Sequence, residues 1–235
     1  MKRFYNDVAT TSVDRNEGVY EVQLDGRGVR TPLRRALQVP GEALANAIAD
    51  EWRTQGEEIN VHSMPLMRMA ATAVDRIADD PGAYIDQIAA YGRTDLVCYR
   101  AEAPQELVVR QARVWQPLLD WVRDTYGSEL LVTDGLLPVE QPVESLSRLR
   151  AAVAENGHYE LSALGVVASA SGSLVVALAM ASGHLDAEAA FNASQLDETY
   201  QVELWGEDEE AQARRDILRA DIDCSATFLS LLKEG

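Results

Sequence analysis

The sequence predicts an α+β protein, mainly α, with a small β-rich module over residues 1–40 and a larger multi-helical domain over residues 41–235. Three observations predict it. Before residue 40, short runs of partly alternating apolar and polar residues meet at Asp25-Gly26, a hairpin signal. From Gly41 onward apolar residues recur at helical spacing. An apolar stretch over residues 161–181 is interrupted by serine and glycine and reads as two buried helices. A chain of 235 residues is long enough to bury a sizeable core, and its length fits one large domain or two modest ones.

In the β module, residues 4–8 are read as one strand and residues 19–24 as another, with a short run around Val29 and Thr31 after the Asp-Gly turn. Pro32 and Pro40 punctuate the exit. Leu44, Ile48 and Trp52, at four-residue steps, then predict a helix that ends near Gly56. Ser63 stands where an N-cap would for a helix opening at Met64-Pro65, because proline is tolerated in a first turn, and that helix stops before Pro81. Helices over 81–91 and 104–126 follow, the second kinked or split at Pro117. A short strand over 130–132 and helices over 143–155, 186–205 and 207–232 complete the chain.

The stretch between Glu160 and Asp186 carries no Asp, Glu, Lys or Arg, and its 21 apolar-rich residues, 161–181, are long enough to cross a bilayer. Four serines, two glycines and the lack of a flanking basic cluster argue instead for two core helices broken near Ser171-Gly172-Ser173, with no membrane insertion.

Charge excludes one class of function. With 38 acidic against 21 basic side chains the formal charge is −17, so the chain is not built to grip nucleic acid, which calls for a positive face. The excess is uneven. Residues 1–35 are mildly basic, while residues 186–223 hold twelve acids against Arg214, Arg215 and Arg219. Such a run can be a solvated helical face, and acids at the start of a helix complement its macrodipole. It can also be a steering surface for a protein partner. Trp205 is the best interface candidate among the four tryptophans, sitting amid these carboxylates before Gly206.

Signals for catalysis are absent from the sequence. There is no phosphate loop, no HExxH and no GxGxxG, and His62, His158 and His184 lie in separate segments without ligand spacing. Ser171-Gly172-Ser173 does not match a GxSxG elbow and reads as a helix break. Asp79-Asp80 and the Asp221/Asp223 pair lack an oxygen-ligand loop, so no metal and no cofactor are expected. Cys98 and Cys224 form no CxxC and read as buried thiols in a reducing compartment. The one enzymatic alternative is a carboxylate- or metal-dependent small-molecule hydrolase, which would have to work without a histidine cluster or a nucleophile motif. The start of the chain shows neither an apolar signal core nor an Arg/Ser-rich presequence, which points to a bacterial cytoplasmic protein, or to an organellar matrix protein in processed form.

Six blocks, in order, carry a family resemblance. They are Arg3-Phe4-Tyr5 with Leu24-Asp25-Gly26-Arg27 and Thr31-Pro32; Glu51-Trp52-Arg53-Thr54-Gln55 with Met64-Pro65-Leu66; Thr94-Asp95-Leu96 with Tyr99-Arg100; residues 111–115; Ser171-Gly172-Ser173-Leu174; and Leu196-Asp197-Glu198 with Tyr200-Gln201 and Trp205-Gly206. Together they resemble the assembly chaperone family for the alpha subunit of the F-type ATP synthase catalytic sector, the F(1)-ATPase. The resemblance implies a small β domain plus a helical domain. It also implies a non-enzymatic chaperone that holds unassembled alpha subunit and releases it as the alpha/beta hexamer forms, and a monomer is expected. It places a functional acidic position on Asp197 or Glu198, with Trp205 and Glu207 beside it as partner-binding candidates. Trp52 also matters in the family, and its apolar helical face here favours a role in folding over direct contact.

Overall fold

The computed structural model describes residues 1–13, 18–134 and 139–234. The chain forms two compact units, Met1–Pro81 with Gly157–Ala163 and Thr227–Gly235, and Gly82–Asn156 with Leu164–Ala226.

In the first unit β1 (Val8–Ser12), β2 (Val19–Leu24), β3 (Arg27–Gly28) and β4 (Gln38–Pro40) form an antiparallel sheet in which β2 pairs with the other three. Asp25 and Gly26 both take positive φ, 48° and 74°, the pair of conformations that a tight hairpin between twisted strands requires. The strand expected over residues 4–8 begins only at Val8. The amides of Asn6 and Asp7 donate to Asp25 Oδ1 (3.1 and 2.9 Å) and are therefore not free for a strand partner. These hydrogen bonds also hold the Asp25 carboxyl below its ordinary pKa. Strand gives way to helix between Pro40 and Glu42. α1 (Glu42–Arg53) buries Leu44, Ala45, Ile48, Ala49 and Trp52 and packs on β1 and β2.

After a single 3₁₀ turn at Val61–Ser63 comes α2 (Pro65–Thr72), continued by a π-helical turn at Ala73–Ile77. Ser63 does not cap α2. Its hydroxyl donates to the Asn60 carbonyl (2.9 Å), and the amides of Leu66 and Met67 go to the two Glu51 carboxylate oxygens, each at 2.8 Å. A charged acceptor from α1 thus satisfies the orphan donors and complements the positive end of the α2 dipole. Residues 157–163 and 227–235 complete this unit. Ser162 Oγ donates to the Met69 carbonyl (2.9 Å), the Tyr159 hydroxyl donates to the Gln38 carbonyl, and Phe228 is fully buried.

The second unit contains α3 (Pro81–Ala89), β5 (Tyr99–Arg100), α4 (Gln105–Tyr126), β6 (Thr133–Asp134), α5 (Val143–Ala154), α6 (His158–Ser171), α7 (Leu174–Ser182), α8 (Ala187–Ser194), α9 (Leu196–Trp205) and α10 (Glu209–Lys233), with α6 and α10 each giving one end to the first unit. The short strand expected over 130–132 falls instead at Thr133–Asp134, parallel to β5. The Gln141 side chain takes both the amide and the carbonyl of Leu131, each at 2.8 Å, and leaves neither for a strand. Pro117 is accommodated inside one helix, α4. The expected 186–205 helix is two helices, divided at Gln195 (φ −113°, ψ 23°). The buried Trp115 indole donates to the Ala193 carbonyl (2.8 Å), an acceptor that an uninterrupted helix would use itself.

α6 and α7 are the two buried helices expected over 161–181. Gly172 has φ 67° between them, and Ser173 caps α7 by accepting from the Val176 amide (3.0 Å). Gly165 lets Tyr84 approach closely, since a Cβ there would lie 2.5 Å from the phenol oxygen. Among the described residues no helix is long and apolar enough to cross a membrane.

Candidate partner-binding site

Ser171-Gly172-Ser173 is wholly engaged in structure. Ser171 Oγ donates to the Val167 carbonyl (2.7 Å), and Ser173 Oγ donates to Asp95 Oδ1 (2.5 Å). Asp95 is fully buried and also accepts from the amides of Val175 (2.9 Å) and Val97 (3.3 Å). Burial pushes its pKa up to about 6, against the pull of these hydrogen bonds. Burial likewise pushes the Cys98 thiol up to about 12, so it is an inert core side chain. Among the described residues no three His, Cys, Asp or Glu side chains gather as a metal site.

An open groove of about 430 Å³ lies where α9 turns into α10. Glu198, Trp205, Asp208, Arg214, Arg215 and Leu218 are among its lining residues. Trp205 is 78% exposed, and Leu204 before it and Ile217 on α10 are exposed as well. An exposed indole at a concave, partly apolar site has the composition of an interface anchor. Glu198 lines the groove. Glu207 lies exposed in the short connection between the two helices, outside the groove lining.

The acidic excess around this groove is partly consumed by the fold. Asp186 caps α8 through the Ala189 amide (2.8 Å), and Asp208 accepts from the Ala211 amide (3.1 Å) at the start of α10. Glu203 pairs with Arg110 (2.6 Å), which also holds Glu106 and lies 5.2 Å from the Tyr200 ring. Glu198, Glu207 and Glu209 make no ion pair among the described residues. Arg215, which sequence reasoning counted only as a stray base, lines the groove. It donates through Nη2 to Thr199 Oγ1 (3.0 Å), while its buried Nη1 has no partner among the described residues. Nothing in the sequence places Arg215 there, because its position depends on how α10 packs against α9 and Phe191.

Asp197 has a different environment from Glu198. It is half-buried, and its Oδ1 accepts from Gln111 Nε2 (2.8 Å). Gln111 also accepts from the Ala101 amide through Oε1 (2.8 Å) and from Arg100 Nη1 through its carbonyl (2.7 Å). Arg100 is 9% exposed, and its guanidinium lies 5.2 Å from the Trp115 ring. Burial lowers its pKa, partly offset by Cys98, Asp134 and Asp197. Arg100, Gln111 and Asp197 therefore tie three separate sequence blocks into one network.

Trp52 belongs to the first unit and is 6% exposed. Its ring meets Tyr5 edge-on at 5.6 Å, and the Tyr5 hydroxyl donates to the Trp52 carbonyl (2.6 Å). Arg3 Nη1 adds a bond to the Gln55 carbonyl (2.8 Å). The first two blocks are thereby joined.

A small sheet with a larger helical body, and an open groove around the exposed Trp205, present a candidate protein-binding surface. The family profile described as ATP12 chaperone protein matches residues 2–123. The crystal structure of Atp12 from Paracoccus denitrificans superposes with a TM-score of 0.90 at 40% identity, covering 98% of each chain. An aspartate-to-lysine mutant of P. denitrificans Atp12p gives 0.91 at 39% identity over 98% of this chain and 97% of that one. The mitochondrial protein atp12 of Schizosaccharomyces pombe is 27% identical over 223 residues, 90% of this chain and 76% of that protein. The chain belongs to the ATP12 chaperone family, the ATP synthase assembly chaperones.

Proposed function

We propose that this chaperone binds the unassembled alpha subunit of the F-type ATP synthase, keeps it from aggregating and releases it as alpha and beta subunits form the catalytic hexamer. The observation that carries this reading is the likeness to Atp12 along nearly the whole chain. The exposed Trp205 in the α9–α10 groove supports the contact site, with Glu198 and Glu207 exposed and in no ion pair among the described residues and Asp197 held by Gln111. Binding alone suffices for the task, with no nucleotide hydrolysis, catalysis, metal or cofactor. An unassembled subunit exposes apolar interface surface that self-associates. A monomer of this chain that covers the surface lowers the concentration of free sticky species until the beta subunit competes for it. Its working compartment is the bacterial cytoplasm or, for a processed form, an organellar matrix.

The test is light scattering from isolated alpha subunit at a temperature where it aggregates. Equimolar chaperone suppresses the signal, and adding beta subunit discharges the complex. Unchanged scattering would sink the proposal.

A further inference from the structure

The first unit carries a second groove with the opposite electrostatic character. It has a volume of about 580 Å³ and lies among the loop at Pro32 and Leu33, the 3₁₀ turn at Val61 and one stripe of α2 and its π-helical continuation. Leu33 and Val61 are 63% and 51% exposed on its rim, and Met67 and Ala71 are buried side chains among its lining residues. Leu33 and Val61 thus add exposed apolar surface to an apolar concavity, the arrangement expected of an interaction site.

Arg68 and Arg76 line the same groove, both exposed, and neither makes an ion pair among the described residues. The one carboxylate in the lining, Asp75, is occupied in its wall. It accepts from Thr31 Oγ1 (2.6 Å) and the Leu33 amide (3.0 Å), which fixes the loop carrying Leu33 against the π-helical turn. That turn carries both Asp75 and Arg76 and closes with the Ala78 amide on the Ala73 carbonyl (2.9 Å). Single π turns inside helices are frequent at functional positions. In a chain of net charge −17, an apolar groove whose two exposed arginines form no ion pair among the described residues, although Arg68 lies within electrostatic reach of Glu51, is complementary to one kind of occupant.

We infer that this groove docks an acidic amphipathic segment of a client polypeptide, with an apolar side chain between Leu33 and Val61 and carboxylates on Arg68 and Arg76. The inference takes from the proposed function only that a client is bound, and it adds a contact surface separate from the α9–α10 groove. A polypeptide fits better than a lipid surface because the apolar residues line a concavity of about 580 Å³, room for several side chains.

The experiment uses the full chain and a fluorescein-labelled Leu/Glu amphipathic peptide, read by anisotropy, with a Leu/Lys peptide of the same pattern beside it. The Leu/Glu peptide binds, and the Leu/Lys peptide binds at least about tenfold more weakly. Arg68→Glu with Arg76→Glu, and separately Leu33→Asp, each weaken the Leu/Glu peptide about tenfold or more without moving the melting temperature. Trp205→Ala leaves its affinity unchanged. Because the probe contains no alpha subunit, this result is independent of the scattering assay. Equal affinity for the two peptides, or loss through Trp205→Ala alone, overturns the inference. So does a groove variant whose only effect is to dissociate a dimer in sedimentation, or binding confined to phosphatidylglycerol vesicles.

Discussion

Each unit has a helix whose N-terminus is held by a carboxylate far away in sequence, and the two carboxylates sit at different depths. In the first unit Glu51 takes the amides of Leu66 and Met67 and remains half-buried. In the second, Asp95 takes the Val175 amide and the Ser173 hydroxyl while fully buried. Burial raises the pKa of both, opposed by the hydrogen bonds they accept, and only the Asp95 shift is large. The same capping chemistry is therefore coupled to pH more strongly in the core, where the shift is large, than at the half-buried site.

The widest separation between the two should come from removing each carboxylate. Asp95→Ala leaves a hydroxyl and two amides without acceptors in a sealed interior and should cost about 3–5 kcal/mol in urea denaturation. Glu51→Ala lets water reach the α2 amides and should cost about 1–2 kcal/mol. Equal losses would show that depth does not govern these caps.

A smaller effect distinguishes them by pH. The folded pKa of Asp95, about 6, lies above its ordinary 3.8. Its contribution to stability is therefore fully present below the unfolded pKa and is lost as pH rises through 6. Asp95→Asn cannot titrate. Between about pH 5 and about pH 8 the wild-type protein should lose about 1.4 kcal/mol relative to this variant, so the asparagine costs least at high pH. Urea midpoints of both proteins across that range check the sign. A gap that widens with pH would mean that the buried carboxylate is charged at little cost.

These caps also show what the sequence could disclose. The Asp25-Gly26 turn, the helical period from Gly41 and the break at Ser171-Gly172-Ser173 were legible, because local backbone chemistry decides them. The cap of α2 was not. Ser63 was the local candidate, and the actual acceptor is Glu51, brought near only when α1 and α2 pack. The division at Gln195 was hidden for the same reason, since the indole that takes the Ala193 carbonyl lies on α4. The six blocks carried the family, yet their meaning emerges only in three dimensions. Tyr5 meets Trp52, Asp95 meets Ser173, and Arg100 meets Gln111 and Asp197. For the candidate site, Trp205 stood out by its position in the sequence, whereas Arg215 depended on the packing of α10.

The smallest expected effect settles which of the two adjacent acids faces a partner. Asp197→Lys breaks the Gln111 bond and brings a second cation toward buried Arg100, so it should cost about 1–3 kcal/mol of stability. Glu198→Lys, on an exposed side chain that lines the Trp205 groove, should change stability by less than about 0.5 kcal/mol. If Glu198 contacts the alpha subunit, its reversal weakens suppression of alpha aggregation at unchanged melting temperature. Asp197 then acts by orienting α9, and Asp197→Asn, which keeps an acceptor for Gln111, should preserve both folding and suppression. Loss of suppression in Asp197→Asn, with Glu198→Lys fully active, would instead place the essential charge on Asp197. The Gln111 bond would then serve to present that carboxylate to the partner.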